Sequence, residues 1–373
     1  MQARKQQGVA LIAVMMVVAL VVVIAVGMSG RLQLQLQRQL NLQDRQQALW
    51  LALGAEEFSR RLLKRTAVGK DNVNLSQDWA AKGATFPVEQ GTISGTLTDL
   101  QSCFNLNALQ KAQQQQNNNN GRPAGQPGQP DAGQSEDPQR DQAAQTGTEP
   151  PVNTEANGSP GRDGKPQLPA QLAFQRLLEQ SAPELSMPAE YLAVRLTDWL
   201  DSDNVLQNAG GAEENDYAGL EFPYYSANSL MVSKSELRLL LDMTAADYAL
   251  VAPLVCVIPQ QDLLQLNVNT ISEQQAPVLA ALIPGLQQDE AVDLINSRPE
   301  KGYNNVDEFW SSSQLSALSV PTQVKALFDI RSRYFQAELT VQLPDSSFKL
   351  TSVFRVDDNQ AVQVVARRFG GPG

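Results

Sequence analysis

The sequence predicts an α+β protein in which a long N-terminal helix packs on an antiparallel sheet and a large α-helical domain is inserted between early and late strands. Three observations predict this fold. A proline-free helical pattern runs to about residue 65, alternating apolar residues occur at 91–109 and again at 334–369, and helical spacing prevails at 170–318. Because alternating segments flank the helical one, one sheet can take strands from both sides of the insertion.

The first 30 residues combine a basic leader with a long apolar run. Arg4 and Lys5 precede Gly8, and the stretch from Val9 to Ser29 carries no charge. At about 1.5 Å per residue this stretch matches the roughly 30 Å hydrocarbon core of a bilayer. An ordinary secretory signal has an apolar region of only about 7 to 15 residues, so the pattern favours a membrane anchor. The basic residues predict a cytoplasmic N-terminus, with the bulk of the chain on the opposite side of the membrane.

The small residue Gly8 lies before the apolar run and not after it. Cleavage between Gly8 and Val9 would remove a leader, residues 1–8, and leave the membrane helix, residues 9–30, on the mature chain. Beyond that run, apolar residues recur at helical spacing, so anchor and stalk are expected to form one helix. This arrangement resembles the type IV pilin and pseudopilin class, in which a membrane peptidase cuts after the leader glycine. A plain single-pass anchor is the alternative.

Composition excludes several classes of function. A net charge of −11 disfavours a nucleic-acid partner, which has to be met by Lys and Arg. Histidine is absent, which removes the commonest general base and the commonest ligand of catalytic zinc, and we do not expect an enzyme. The two cysteines, Cys103 and Cys256, either pair as a disulfide on the oxidising side of a bacterial inner membrane or stay buried as thiols.

The rest of the chain divides by composition. Residues 31–109 continue the stalk helix and supply the first one or two strands, and residues 110–169 are rich in Gln, Asn, Pro and Gly. That second segment cannot bury enough apolar surface to offset its ordering entropy, so a disordered loop is predicted. Residues 170–318 form the helical insertion, with helices expected near 170–181, 188–201, 233–241, 244–252, 272–283, 287–297 and 305–311. Residues 319–373 hold three alternating runs separated by PDSS and DDNQ turns, which predict an antiparallel meander.

An acidic stretch within residues 198–228 carries the strongest local chemistry. Seven acids and no Lys or Arg lie between Asp198 and Glu221. Carboxylates brought together repel one another unless a cation neutralises them, and hard oxygen ligands suit calcium. The EF-hand template does not fit, because its twelfth position, counted from Asp201, is Ala212. An irregular calcium site and a solvated acidic loop are both compatible with the pattern.

Residues 266–311 resemble a helix-hairpin-helix module whose hairpin is Pro-Gly-Leu at 284–286. In DNA-binding modules of this kind, the hairpin and a helix N-terminus offer backbone amides to a phosphate. Here Gln287 replaces the second glycine of the hairpin, and Asp289 and Glu290 add negative charge to the helix start. We therefore interpret the module as a structural or protein-contact unit, with DNA binding as the alternative.

Four motifs together resemble the type II secretion system minor pseudopilin K family, also called general secretion pathway protein K. They are RKQQGVALIAVMM at the N-terminus, CFNLN after a strand, the DWLDSD and GAEENDY stretch, and the LNVNT helical pair. The resemblance covers the whole chain except 111–167. It implies a non-enzymatic component at the tip of a periplasmic pseudopilus, which initiates assembly with the minor pseudopilins I, J and H and supports export of folded proteins across the outer membrane.

The same resemblance implies cleavage by prepilin peptidase between Gly8 and Val9, with N-methylation of Val9. It also implies calcium as a structural cofactor in the helical domain. The candidate ligands are Asp201, Asp203, Glu213, Glu214 and Asp216. Most pilins carry glutamate at the fifth mature position, where it meets the N-terminal amine of the preceding subunit. Ala13 stands there in this chain, which is compatible with the first subunit of a filament.

One function from another class fits part of the same pattern. A single-pass membrane receptor would use the anchor, and its periplasmic helix-hairpin-helix module would bind DNA or another ligand. The two hypotheses differ in the mature N-terminus, which is Val9 for a processed pseudopilin and Met1 for an unprocessed receptor.

Overall fold

The computed structural model describes residues 7–110, 169–344 and 346–370. The start of the predicted leader, residues 1–6, and most of the predicted disordered loop, residues 111–168, lie outside the described residues. The described residues form the α+β fold that the sequence predicts. One long helix packs on an antiparallel sheet, and shorter helices form a second body between the strands in chain order.

Helix α1 spans Gln7–Thr66 and joins the predicted anchor and stalk in a single element of 60 residues. Its N-terminal part is apolar and exposed. The span from Leu11 reaches a mean hydropathy of 3.2, and among the described residues it is the one helix long and apolar enough to cross a membrane. Its C-terminal part packs on the sheet, where Ala48, Ala52 and Leu63 are buried.

The strands form one large sheet and two short parallel pairs. The strands are β1 (Ala84–Val88), β2 (Gly91–Asp99), β3 (Phe104–Asn105), β4 (Val255–Cys256), β5 (Leu266–Asn267), β6 (Phe328–Asp329), β7 (Tyr334–Gln342), β8 (Ser347–Val356) and β9 (Val362–Phe369). The large sheet has the order β1-β2-β7-β8-β9 and is antiparallel throughout. Since β2 pairs with β7, strands from both sides of the helical segment share one sheet. Strand β1 lies outside the segments predicted as strands, and it occupies the sheet edge, where its Pro87 is tolerated.

The shorter helices follow the predicted segments closely. They are α2 (Pro169–Ser181), α3 (Ala189–Leu200), α4 (Glu214–Ala218), α5 (Ala245–Val251), α6 (Ala276–Leu282), α7 (Gln288–Asn296), α8 (Val306–Trp310) and α9 (Thr322–Lys325). The helix expected near 233–241 is instead a 3₁₀ helix, Lys234–Leu239, which starts at a capping box between Ser233 and Glu236. The short helices α4 and α9 lack the sustained apolar period that sequence analysis relies on.

The helix and the sheet share one apolar core. Along β7, Phe335, Ala337, Leu339 and Val341 are buried while the residues between them are less covered, as a strand with one face on a core requires. Trp79 closes the core, with its ring 5.2 Å from that of Phe335 in an edge-to-face arrangement. A second, larger core lies among α2 to α8 and carries no contribution from α1 among its buried residues.

A charge pair between the buried Glu56 and the exposed Arg367 fastens α1 to the far strands of the sheet. The Glu56 carboxylate accepts a bond from Ser352 Oγ at 2.6 Å and two bonds from the Arg367 guanidinium at 2.7 Å. Burial raises the pKa of Glu56, but the bonds from Arg367 and Ser352 outweigh burial and hold it below its usual value. The position of α1 against β8 and β9 is therefore set by polar contacts as well as by packing.

Candidate functional sites

Three buried carboxylates meet at the start and end of the acidic loop. Asp198 lies in the last turn of α3, Asp201 directly follows that helix, and Glu213 directly precedes α4. One oxygen from each lies within 4.8 Å of the others, and the three residues are 0, 2 and 3 % exposed. Carboxylates are rarely buried together without a partner of opposite charge, so the cluster is a candidate metal centre.

The electrostatics of this cluster are unfavourable without a cation. The pKa of Asp198 is raised to about 7, mainly by burial, with smaller contributions from the nearby Asp201 and Asp203 carboxylates. Burial also raises the pKa of Glu213 to about 8, with the charges of Asp198 and Asp201 as the next largest causes. Both carboxylate oxygens of Glu213 are buried and have no hydrogen-bond partner among the described residues. An all-carboxylate donor set of this kind fits a hard cation such as calcium.

Two glycines make the bend that closes the loop over this cluster. Gly210 has φ +93°, and a Cβ there would lie 2.4 Å from the ring of Tyr191. A Cβ on Gly211 would lie 2.2 Å from Asp198 Oδ2, and the next amide, on Ala212, donates to that same oxygen at 3.1 Å. The loop backbone thus approaches Asp198 as closely as it does because neither position carries a side chain.

The five predicted ligands divide into two groups. Asp201 and Glu213 lie in the cluster. Asp203 is exposed and accepts from the Val205 amide at 2.9 Å, while Asp216 is exposed and accepts from the Glu213 amide at 2.9 Å. Glu214 is half-buried and lies outside the three-residue cluster.

Asp198 belongs to the cluster but is missing from the predicted set. Its spacing of three residues from Asp201 could have identified it, since residues three apart project from the same side of a helix.

The hairpin of the helix-hairpin-helix segment is formed, with Gly285 at φ +89° between α6 and α7. The start of α7 is satisfied from within the chain, because Glu290 Oε2 accepts from the Gln287 amide at 2.9 Å. A phosphate approaching these amides would meet that carboxylate. The geometry therefore disfavours the phosphate contact that DNA binding by this module requires.

Cys103 and Cys256 form a disulfide between segments that lie 153 residues apart in sequence. The bridge is next to the parallel pairing of β3 with β4, where Asn105 is opposite Cys256. Leu100 and Ile258 pack around it. The bridge ties the segment that follows β2 to the helical body.

Comparison with known proteins adds independent information. Models of the family described as type II secretion system (T2SS), protein K match residues 152–260 and 266–331. Type II secretion system protein K of Aeromonas hydrophila is 36% identical over 99% of this chain and 98% of its own length. The chain belongs to the type II secretion system protein K family. The protein K sequences of Klebsiella pneumoniae and Dickeya chrysanthemi are each 32% identical, over 98% and 99% of this chain and 97% and 98% of their own lengths.

A solved structure of the protein K family supports the fold. The crystal structure of the GspK-GspI-GspJ complex from enterotoxigenic Escherichia coli contains a chain that matches with a TM-score of 0.66 and 27% identity. The match covers 90% of this chain and 100% of that one. Protein K is a structural component of the secretion system, and the exposed apolar part of α1 fits a single-pass, membrane-anchored pseudopilin.

Proposed function

We propose that this member of the protein K family is the minor pseudopilin that initiates the type II secretion pseudopilus at its tip. It assembles there with the minor pseudopilins I, J and H and supports export of folded proteins across the outer membrane. The observation that carries the proposal is the similarity, over 100% of the matched chain, to a protein solved in complex with GspI and GspJ.

The apolar helix supports a position in a filament. The part of α1 before the sheet is exposed and apolar, so it needs a membrane before assembly and neighbouring subunits afterwards. At its fifth mature position stands Ala13 and not the glutamate of other pilins. A buried carboxylate needs a partner, and the first subunit of a filament has no preceding amine to offer one.

Processing and orientation complete the proposal. Prepilin peptidase cleaves between Gly8 and Val9 and methylates Val9, and Arg4 and Lys5 keep the leader on the cytoplasmic side of the inner membrane. The remainder of the chain then lies in the periplasm.

The decisive experiment expresses the full chain with prepilin peptidase and the I, J and H components. The expected mature N-terminus is methylated Val9 by mass spectrometry, and I and J are expected to co-purify with the chain from detergent-solubilised membranes. Replacing the leader glycine, Gly8→Leu, should leave the leader in place and reduce the yield of the complex. A mature chain that begins at Met1, or a processed chain without I and J, would contradict the proposal and favour the receptor alternative.

We also propose that Asp198, Asp201 and Glu213 hold a structural calcium ion. The ion supplies positive charge that lets three buried carboxylates share one site, and the Glu213 carboxylate has no other partner among the described residues. Bound calcium would join the end of α3 to the start of α4 and so order the loop between them.

A further inference from the structure

A groove lies between the sheet and the helical body, away from the acidic cluster. It encloses about 580 Å³, within the range of ligand-binding pockets. One wall is the face of β7, β8 and β9 that points away from α1. The other wall is formed by residues 232–234, 253 and 255–257 of the helical body, and the Cys103–Cys256 disulfide lines the groove as well.

Basic side chains outnumber acidic ones in this groove. Lys234, Lys349 and Arg368 line it, and Arg368 donates to Ser233 Oγ at 2.8 Å and so links the two walls. Arg367 also lines the groove but is committed to Glu56. Glu338 is the one acid among the described lining residues. Such a concentration of positive charge is unexpected in a chain with a net charge of −11.

The charged side chains follow the register of the sheet. Thr351 is opposite both Glu338 on β7 and Arg368 on β9, and Lys349 is opposite Thr340. The groove therefore reaches β9, the outer strand of the large sheet. Within the described residues, no strand pairs with the far side of β9, which leaves a strand edge beside the cations.

We propose that this groove binds an extended acidic segment of a partner protein. The carboxylates of the segment pair with Lys234, Lys349 and Arg368, and its main chain adds to the edge of β9. A membrane surface or a nucleic acid would bring many phosphates against the acidic remainder of the chain, whereas a short acidic segment meets mainly the local cations. This inference does not depend on the proposed function.

The test measures binding of a blocked peptide of about eight residues, alternating glutamate and valine, to the full chain in detergent by fluorescence anisotropy. The glutamate peptide is expected to bind more tightly than a peptide with glutamine in place of glutamate, and its affinity should fall as salt is raised. The combined variant K234Q, K349Q and R368Q should bind about tenfold more weakly. Circular dichroism of each variant checks that the fold is retained.

A matched control separates the groove from overall charge. The combined variant K82Q, K301Q and R331Q removes the same charge from exposed positions outside the groove and should keep the affinity of the original chain. A peptide with alternate amides methylated cannot pair with a strand and should bind more weakly. Equal losses in the two variants, equal binding of the glutamine peptide, or unchanged binding of the methylated peptide would each overturn the proposal.

Discussion

Glu213 is the residue on which the proposed calcium site depends most. It is 3 % exposed, lies within 4.8 Å of Asp198 and Asp201, and neither of its carboxylate oxygens bonds to another described group. Without a cation this carboxylate is held near two like charges in a dry environment, which is unfavourable. Replacing it with a neutral side chain removes both the repulsion and the site.

We therefore expect opposite effects of Glu213→Gln in the presence and absence of calcium. Calcium at about one hundred times its dissociation constant should stabilise the original full chain by about 3 kcal/mol, measured by thermal unfolding against a chelator. Glu213→Gln should abolish that gain and raise the melting temperature measured in chelator. The exposed Glu221→Gln is the control and should keep the calcium response. A variant Glu213→Gln that still gains stability from calcium would exclude this residue as a ligand.

At the scale of elements, the disulfide reinforces the pairing of β3 with β4, which is too short to be stable by itself. Each of these strands has two residues, and they come from segments on opposite sides of residues 111–168. Two residues of parallel pairing cannot offset the closure of so long a loop. The covalent bridge between Cys103 and Cys256 removes much of that loop's freedom from the unfolded chain.

Removing the bridge should therefore cost substantial stability. In the chain-entropy model, closing a loop of 153 residues contributes about 4 to 5 kcal/mol. The double variant C103S and C256S should unfold at lower denaturant concentration by a corresponding amount. Dithiothreitol should lower the stability of the original chain to the same level and leave the double variant unchanged. If the denaturation midpoint of the original chain is the same with and without dithiothreitol, the bridge is not stabilising.

At the scale of the whole molecule, a buried network around Asp99 joins the helix–sheet body to the helical body. Asp99 ends β2, and its carboxylate accepts bonds from Thr270, Ser332 and Asn267. Asn267 also donates to Val73 O at 3.0 Å, just beyond α1. The network thus connects four segments of the chain. They are the residues that follow α1, the end of β2, the start of the hairpin segment and the residues that precede β7.

This network predicts a pH dependence of stability. Burial raises the pKa of Asp99 to about 6, although hydrogen bonds from Ser332 and Thr270 act in the opposite direction. Between about pH 4 and about pH 6 the folded state holds a proton that the unfolded state has lost, so stability falls as pH rises through this window. The expected loss is on the order of 2 kcal/mol.

Denaturant unfolding in saturating calcium measures this effect. Asp99→Asn should change the overall stability but flatten its slope between about pH 4 and about pH 6. The exposed Asp289→Asn should keep the slope of the original chain. If Asp99→Asn and the original chain show the same slope, the proton is not bound at Asp99.

Local sequence patterns determined most of the architecture. Alternating residues such as Phe335, Ala337 and Leu339 predicted β7, and the apolar run after Gly8 predicted the exposed apolar part of α1. Such patterns reflect one-sided burial, which repeats with the period of each element and can be identified without knowing the neighbours. The short edge strand β1 was not predicted because it has no such pattern, and its burial changes little along its length.

Only the tertiary structure decided which acids meet. The sequence contains seven carboxylates from Asp198 to Glu221, but it does not show which of them meet. The structure buries Asp198 with Asp201 and Glu213 and leaves Asp203 in solvent. It also could not place Lys234, Lys349 and Arg368 in one groove, since they come from separate segments. Periodicity reports burial within one element, whereas a site depends on distances between elements, and those are set by how helix, sheet and helical body pack together.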